Sequence, residues 1–285
     1  MIKSFSYFLQ SIFIYFFFFM GLILRINISR KFFSFLFLIV GPFVKSKKII
    51  DQNLDIFSHE ISSLEKKNII TSMWKNYGKT FIEYVFLSNF KNKNSHITIS
   101  GKENLINNIQ KKKSVIFVSG HFANFELMSM EISKMNIQLA TIYRPLNNFF
   151  LNPFMEFLRK KYICTNQIKK GVNGVREAIE FIKMKHSIAL MIDQRVSEGE
   201  RINFFNKGAL TTTLPAQLSI KYNLEIIPVY IERNKDDTFS MVFQKAIDPK
   251  NFNNKIELTE KLNNVLEKMI INNPSQWIWT HNRWK

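Results

Sequence analysis

The chain has 285 residues, and its 40 Lys and Arg against 22 Asp and Glu give a formal net charge of +18 at pH 7. A mean hydropathy of -0.08 excludes a protein with many membrane spans. A hydrophobic content of 46% excludes a disordered chain, and the single cysteine, Cys164, excludes a disulfide scaffold. The positive charge has two readings, the codon bias of an AT-rich genome or an acidic partner: nucleic acid, an anionic membrane or an acidic carrier protein.

The amino-terminal segment carries no charge between Lys3 and Arg25 and is long enough to cross a bilayer as a helix. Its run of four phenylalanines, and the lack of an Ala-x-Ala site, favour an uncleaved anchor over a signal peptide. Cations follow it up to Lys48, with no acid before Asp51. By the positive-inside rule we predict a single-pass anchor over residues 1–24 and a cytoplasmic location for the rest.

A second apolar run, Phe32 to Val44, is too short to span a membrane. Its sequence fits an interfacial helix and an ordinary buried helix equally well. Residues 55–90 have the three- and four-residue apolar spacing of a helix, and the polar stretch 91–95 marks a boundary. We therefore predict a helical, membrane-proximal segment over residues 25–95.

Beyond that boundary, apolar strand-like runs alternate with helical patterns. The predicted strands are 114–118, 139–143, 188–192, 226–231 and 239–243, and the predicted helices are 125–135, 152–161, 172–183, 213–222 and 258–271. This alternation predicts an α/β fold over residues 96–285, a layered domain with a largely parallel central sheet flanked by helices. Functional sites of such sheets lie at the carboxyl ends of the strands.

The first of these strands is followed by Gly-His-Phe-Ala-Asn-Phe-Glu, residues 120–126. If His121 lies in the loop and Glu126 on the first helical turn, the carboxylate can accept from one imidazole nitrogen and leave the other free as a base. The same spacing also fits a histidine with a structural role. Zinc is disfavoured, because the other histidines form no spaced pair. They are His59, His96, His186 and His281.

Polar residues also end two later strands. Arg144 follows the strand 139–143 and suits a phosphate or an oxyanion, although a surface arginine before a proline turn explains it too. Asp193 and Gln194 follow the strand 188–192, where helix capping would explain Asp193 equally well.

In this order, the motifs resemble the late acyltransferases of lipid A biosynthesis, the lauroyl and myristoyl transferases among the glycerolipid-type His-x4-Asp/Glu acyltransferases. The resemblance covers almost the whole chain. The motifs that carry it are residues 120–126, Tyr143-Arg144-Pro145, Asp193-Gln194, Phe204-Phe205, residues 209–213, Pro228 and residues 279–285. It implies an O-acyltransferase of the inner membrane that moves a fatty acyl group to a hydroxyl of a lipid A precursor, with acyl carrier protein or acyl-CoA as the donor.

The resemblance also implies roles for individual residues. His121 would be the general base and Glu126 its partner. The implied substrate-binding residues are Arg144, Asp193, Gln194 and Asn124. No metal, cofactor or covalent acyl-enzyme is implied; the expected partners are acyl carrier protein and a membrane lipid, without nucleic acid, and the oligomeric state stays open.

Three residues stand where the family usually has glycine: Ala123, Asn206 and Leu214. The last two bear on which acceptor lipid fits, because glycine permits a close backbone approach. One alternative function is an acyltransferase for another lipid, such as a lysophospholipid, a glycolipid or an ornithine lipid. The other is a non-catalytic, membrane-tethered binding protein, in which His121 and Glu126 would have no role.

Overall fold

The computed structural model describes residues 2–58, 60–105 and 113–285. Its strands are β1 (Ile97–Ser100), β2 (Ile116–Ser119), β3 (Leu139–Tyr143), β4 (Asn166–Lys169), β5 (Ser187–Met191), β6 (Glu200–Phe204), β7 (Lys207–Thr211), β8 (Ile226–Arg233) and β9 (Phe239–Phe243). Seven of them form one sheet in the order β1-β9-β8-β2-β5-β3-β4, and β6 pairs with β7 as a separate hairpin.

The central strands of the sheet are parallel. Strand β2 runs parallel to β5 and β8, and β3 runs parallel to β4 and β5, whereas β9 is antiparallel to β8. All four residues of β2 are buried, as expected for a parallel strand covered on both faces. The predicted α/β fold with a largely parallel sheet flanked by helices is confirmed.

The helices account for most of the remaining described chain. They are α1 (Ile2–Val44), α2 (Lys47–Phe57), α3 (Ser63–Glu83), α4 (Leu87–Asn92), α5 (Glu126–Lys134), α6 (Asn152–Leu158), α7 (Val172–Lys183), α8 (Leu214–Tyr222) and α9 (Lys255–Asn272). Helix α3 begins with a capping box between Ser62 and Glu65. Helix α6 continues into a π-helical turn, Arg159–Ile163. The bounds of β3, α7 and β9 match the prediction.

Four strands of the structure were missed by the prediction: β1, β4, β6 and β7. Helix α2 lies within the predicted helical segment 25–95, although no separate bounds were predicted for it. Strands β1 and β4 have four residues each; β1 alternates half-buried with exposed positions and β4 has a single buried residue, so they lack the apolar run that marks the central strands. In the β6–β7 hairpin, exposed or half-buried residues separate the few buried ones.

Helix α1 consists of two arms, because Arg25 has φ 61° and ψ 161° and interrupts the helical backbone. We call residues 2–24 the first arm and residues 26–44 the second arm. The hydroxyl of Ser29 donates to the Gly21 carbonyl over 2.7 Å, and the rings of Phe17 and Phe33 lie 5.7 Å apart. The arms therefore contact each other across the break.

The second arm packs against α3. A Cβ at Gly78 would lie 2.0 Å from the carbonyl oxygen of Phe33, so the two backbones touch and only glycine fits there. The opposite face of the arm is open, with Phe35 63% and Phe43 88% exposed. The predicted helix at Phe32–Val44 is confirmed, whereas its location in a membrane interface stays a prediction.

Within the described residues, one helix, Lys3–Val44, is long and apolar enough to cross a membrane. The helical segment is joined to the sheet domain by a shared core and by hydrogen bonds such as Asn53 Nδ2 to the Trp279 carbonyl, 2.8 Å. The predicted division into residues 1–24, 25–95 and 96–285 stays a prediction; residues 1, 59 and 106–112 of these ranges lie outside the described residues.

Candidate active site

The candidate site lies at the carboxyl ends of three neighbouring strands. Strand β2 leads into His121, β5 leads into Asp193 and β3 leads into Arg144. Strand β5 lies between the other two in the sheet. Because parallel strands end at one edge of the sheet, the fold brings these residues to the same edge.

His121 is held by Asp193. The imidazole Nδ1 lies 2.7 Å from Oδ1 of Asp193, and the backbone N–H of His121 donates to Oδ2 over 2.8 Å. Asp193 is fully buried, whereas the imidazole is 18% exposed. The contact fixes Nδ1 as the protonated nitrogen and leaves Nε2 with a free lone pair, the arrangement required of a general base.

Asp193 has a second donor in Trp277, whose indole Nε1 lies 2.9 Å from Oδ2. Burial raises the pKa of Asp193, but its interactions with His121 and Trp277 lower it by more, so the pKa lies below its usual value. The Asp193 carboxylate is therefore ionised at neutral pH. Both of its oxygens accept from protein donors, so Asp193 holds His121, and its contact with substrate stays a prediction.

The predicted pairing of His121 with Glu126 is corrected, because His121 pairs with Asp193 instead. Glu126 Oε1 accepts from the Tyr84 hydroxyl over 2.5 Å and lies 2.6 Å from Nη2 of Arg159. Glu126 opens α5, where an arginine and a tyrosine satisfy its carboxylate, while Asp193 reaches both the ring and the backbone of His121. A catalytic role for Glu126 stays a prediction.

Asn124 belongs to a buried polar network beneath the histidine loop. Its Nδ2 donates to Glu83 Oε2 over 2.9 Å, and Glu83 Oε1 lies 2.6 Å from Nε of Arg30 and 2.5 Å from Nη1 of Arg233. Burial raises the pKa of Glu83, but Arg233 and Arg30 lower it by more. Asn124 thus binds a buried protein carboxylate, and its contact with substrate stays a prediction.

The same loop is tied to α3 and to the carboxyl-terminal segment. The carbonyl of Ala123 accepts from the Thr80 hydroxyl over 2.9 Å, and its N–H donates to the Gln276 carbonyl over 3.2 Å. Ala123 has φ 46°, a left-handed backbone that is least strained for glycine. These bonds fix the loop that presents His121.

Arg144 and Gln194 keep their predicted places at the open edge of the site. Arg144 is exposed, and Gln194 is half-buried beside Asp193. Burial, together with the charges of Arg283, His121 and Arg144, lowers the pKa of His281 to about 4. Arg144 therefore lies within electrostatic reach of the histidine site, and its contact with substrate stays a prediction.

The carboxyl-terminal segment contributes residues that the sequence did not assign to the site. His281 Nε2 accepts from the Arg195 N–H over 2.8 Å. Arg283 is fully buried and donates to the Leu210 carbonyl and the Thr211 hydroxyl, each over 2.7 Å. The available signal was the motif at residues 279–285, which carries part of the family resemblance but was given no role in the site.

The structure offers little to a metal ion. Across the described ranges, no group of three or more His, Cys, Asp and Glu side chains could hold one. His59, one of the histidines considered for zinc, lies outside the described residues. The expectation that the reaction needs no metal or cofactor stays a prediction.

Comparison with known proteins gives the class of the protein, an acyltransferase that acts on a lipid. The chain belongs to the bacterial lipid A biosynthesis acyltransferase family, whose model matches residues 2–285. The predicted family resemblance is confirmed.

Two curated relatives are similar over most of the chain. The lipid A biosynthesis palmitoleoyltransferase of Escherichia coli (strain K12) is 22% identical over 251 residues, which cover 86% of this chain and 80% of that protein. The lipid A biosynthesis acyltransferase of Shigella flexneri has the same identity and coverage. Among solved structures, the 1-acyl-sn-glycerophosphate (LPA) acyltransferase of Thermotoga maritima is similar with a TM-score of 0.43 and 15% identity, over 89% of this chain and 100% of that chain.

Proposed function

We propose that the protein is a membrane-anchored acyltransferase that moves a fatty acyl group from the thioester of an acyl carrier protein to a hydroxyl of a lipid A precursor. Family membership supports the reaction class and the lipid acceptor. The observation that carries the mechanism is the contact between His121 Nδ1 and the buried Asp193.

In the proposed mechanism, His121 is the general base and Asp193 its positioning residue. Nε2 of His121 takes the proton of the acceptor hydroxyl while that oxygen attacks the carbonyl carbon of the thioester. The carbon–sulfur bond then breaks, and the leaving thiolate takes the proton from the imidazolium. Asp193 stabilises the imidazolium between these two steps, and no acyl group is bonded to the protein at any stage.

Arg144 is the proposed donor to the oxyanion of the tetrahedral intermediate. It follows β3, which neighbours the strand that leads to Asp193, and its guanidinium is exposed at the same edge of the sheet. A fixed cation placed where negative charge develops lowers the barrier without reorganising at the moment of reaction. Gln194 is a second polar group at this edge, suited to orient the acceptor.

An acyl carrier protein is the preferred donor, because the net charge of +18 favours encounter with an acidic partner. Acyl-CoA carries the same thioester and is the competing donor. The relatives' names support a lipid A precursor as the acceptor. A lysophospholipid, a glycolipid or an ornithine lipid is the alternative acceptor, because His121 could remove a proton from its acceptor group in the same way.

The experiment uses the full chain in detergent micelles with acyl carrier protein thioester and a tetra- or penta-acylated lipid A precursor, and mass spectrometry of the product. Wild type should add one acyl group, His121→Ala should abolish transfer, and Asp193→Asn should lower kcat by about a thousandfold or more. His186→Ala, at the opposite edge of the sheet, is the matched control. Near-normal turnover of either site variant would refute the mechanism, and acylation of a lysophospholipid alone would refute the acceptor.

We also propose that the first arm anchors the protein in the inner membrane with the sheet domain in the cytoplasm. Exposed phenylalanines along the arm, such as Phe13 (60%) and Phe19 (64%), support a lipid environment. A chain lacking residues 1–24 should move at least partly into the soluble fraction. Protease added to the periplasmic side of intact cells should leave the sheet domain uncut; cleavage there would reverse the proposed orientation.

A further inference from the structure

The first arm of α1 has a polar side that faces the sheet domain. The Ser11 hydroxyl donates to Asn148 Oδ1 over 3.0 Å, and Asn148 Nδ2 donates to the Tyr7 carbonyl over 2.9 Å. Further along, the Tyr15 hydroxyl donates to the Phe150 carbonyl over 3.0 Å. The segment that follows Arg144 therefore satisfies polar groups of a helix whose other faces are apolar.

Aromatic rings extend this contact. The rings of Tyr7 and Phe149 lie 6.1 Å apart, and those of Phe8 and Phe150 lie 5.5 Å apart, both edge to face. We call residues 146–150 the aromatic loop. Its contacts fall at residues 7, 8, 11 and 15 of the arm, so the loop lies beside the middle of the apolar helix rather than beside its end.

The aromatic side chains of the loop stay partly exposed although their rings touch the arm. Asn148 is only 9% exposed, whereas Phe149 is 54% and Phe150 38% exposed. On the arm, Phe5 and Phe16 are 64% and 58% exposed. Exposed apolar surface thus continues from the arm onto the loop, and a patch of this kind marks a surface that another apolar phase covers.

The first arm indicates that this apolar phase is a lipid bilayer. It belongs to the one described helix that is long and apolar enough to cross a membrane. A helix of residues 2–24 is about 34 Å long, close to the hydrocarbon thickness of a bilayer. A loop packed against the middle of this helix lies at the depth of the lipid acyl chains when the helix spans the bilayer.

We infer that residues 146–150 form a membrane-inserted loop, with Phe149 and Phe150 in contact with lipid acyl chains. The loop follows Arg144 by one residue, so its insertion brings this residue close to the lipid and faces the His121 edge of the sheet toward the bilayer. The inference rests on the proposed membrane association, and does not depend on the acyl-transfer chemistry.

Site-directed labelling tests the depth of the loop. In the full chain with Cys164→Ala, Phe149→Cys is labelled with a nitrobenzoxadiazole dye and added to vesicles of phosphatidylcholine and phosphatidylglycerol. Met184→Cys is the matched control, because Met184 is 57% exposed and lies just before β5, at the opposite edge of the sheet. Vesicle sedimentation measures association separately from depth.

We expect the label at position 149 to be quenched at least threefold more by phospholipid spin-labelled on the acyl chain than the label at position 184. Phe150→Cys supplies an independent label if the first variant does not fold. Sedimentation with equal quenching at both edges would overturn the inference and leave the membrane association standing. Failure to sediment would overturn both, whereas loss of acyl transfer with normal quenching would bear only on the proposed chemistry.

Discussion

Trp277 and Asp193 are 84 residues apart in the sequence, yet the indole Nε1 of one lies 2.9 Å from Oδ2 of the other. The contact joins the end of the chain to the residue that holds His121. Trp277→Phe removes the donor and keeps most of the ring. Because this hydrogen bond lowers the pKa of Asp193, its loss raises that pKa and makes the carboxylate easier to protonate.

As the pH is lowered, the variant should therefore lose the activity that needs ionised Asp193 at a higher pH than wild type does. We expect the acidic limb of the kcat/KM profile to move to higher pH in Trp277→Phe, with a loss of activity that grows as the pH falls. Trp279→Phe is the matched control, since the Trp279 indole donates to the Pro274 carbonyl instead. An equal drop at every pH in Trp277→Phe would mean that the tryptophan only supports packing.

Arg144 offers a test of how the negative charge of the reaction is stabilised. Arg144→Lys keeps the charge but loses planar, two-pronged donation. If Arg144 contacts the oxyanion, kcat should fall by about tenfold to a thousandfold with little change in KM for the lipid. Steady-state kinetics at several lipid concentrations separate the two constants, and a rise in KM alone would identify Arg144 as a phosphate-binding residue.

Glu126 and Arg159 form an ion pair that is about 90% buried. Glu126→Gln keeps the shape and leaves the guanidinium without its counterion. We expect the free energy of unfolding to fall by about 3 kcal/mol, which lowers Tm by roughly 5 to 10 °C. Adding Arg159→Met should restore part of the loss, because the double variant buries no uncompensated charge.

Thermal unfolding in detergent micelles measures both variants. The double variant also isolates the catalytic question, because it tests activity without Glu126 in a protein that has regained part of its stability. A Glu126→Gln variant as stable as wild type would show that the pair contributes nothing to folding.

The β6–β7 hairpin turns at Phe205 and Asn206, which have φ 51° and 57°. Two left-handed residues in a two-residue loop define a type I′ turn, in which glycine is preferred at the second position. Asn206→Gly should therefore stabilise the protein by about 0.5 kcal/mol and raise Tm by roughly 1 °C. Unchanged activity is expected, and a lower Tm would show that the Asn206 side chain has a stabilising contact.

The sequence predicted the elements whose signal is local. Strand β3 and helix α7 have apolar periodicity in their own residues, so their bounds could be predicted. The loop with His121 was recognised from its neighbours in the chain. The glycine departures at Ala123 and Asn206 were also visible, and both positions have the left-handed backbone that explains the family's preference.

The partner of His121 could not be predicted from spacing. Glu126 is five residues away and Asp193 is 72 residues away, and chain proximity favoured the wrong carboxylate. The choice depends on which strands are neighbours, because β5 lies beside β2 and carries Asp193 to the same edge. Similarly, Glu126 pairs with Arg159, which lies 33 residues away at the end of α6, and Asp193 accepts from Trp277 near the other end of the chain.

Glu83 has a consequence for how the protein can be shortened. One carboxylate connects Arg30 of the second arm, Arg233 of β8 and Asn124 of the histidine loop. A chain that begins after residue 24 keeps all three bonds, whereas one that begins after residue 44 loses Arg30 and exposes the face of α3 that Phe33 covers. The second arm therefore helps to hold the histidine loop in place through Arg30 and Glu83. A shortened, more soluble version of the protein has to start before Arg30.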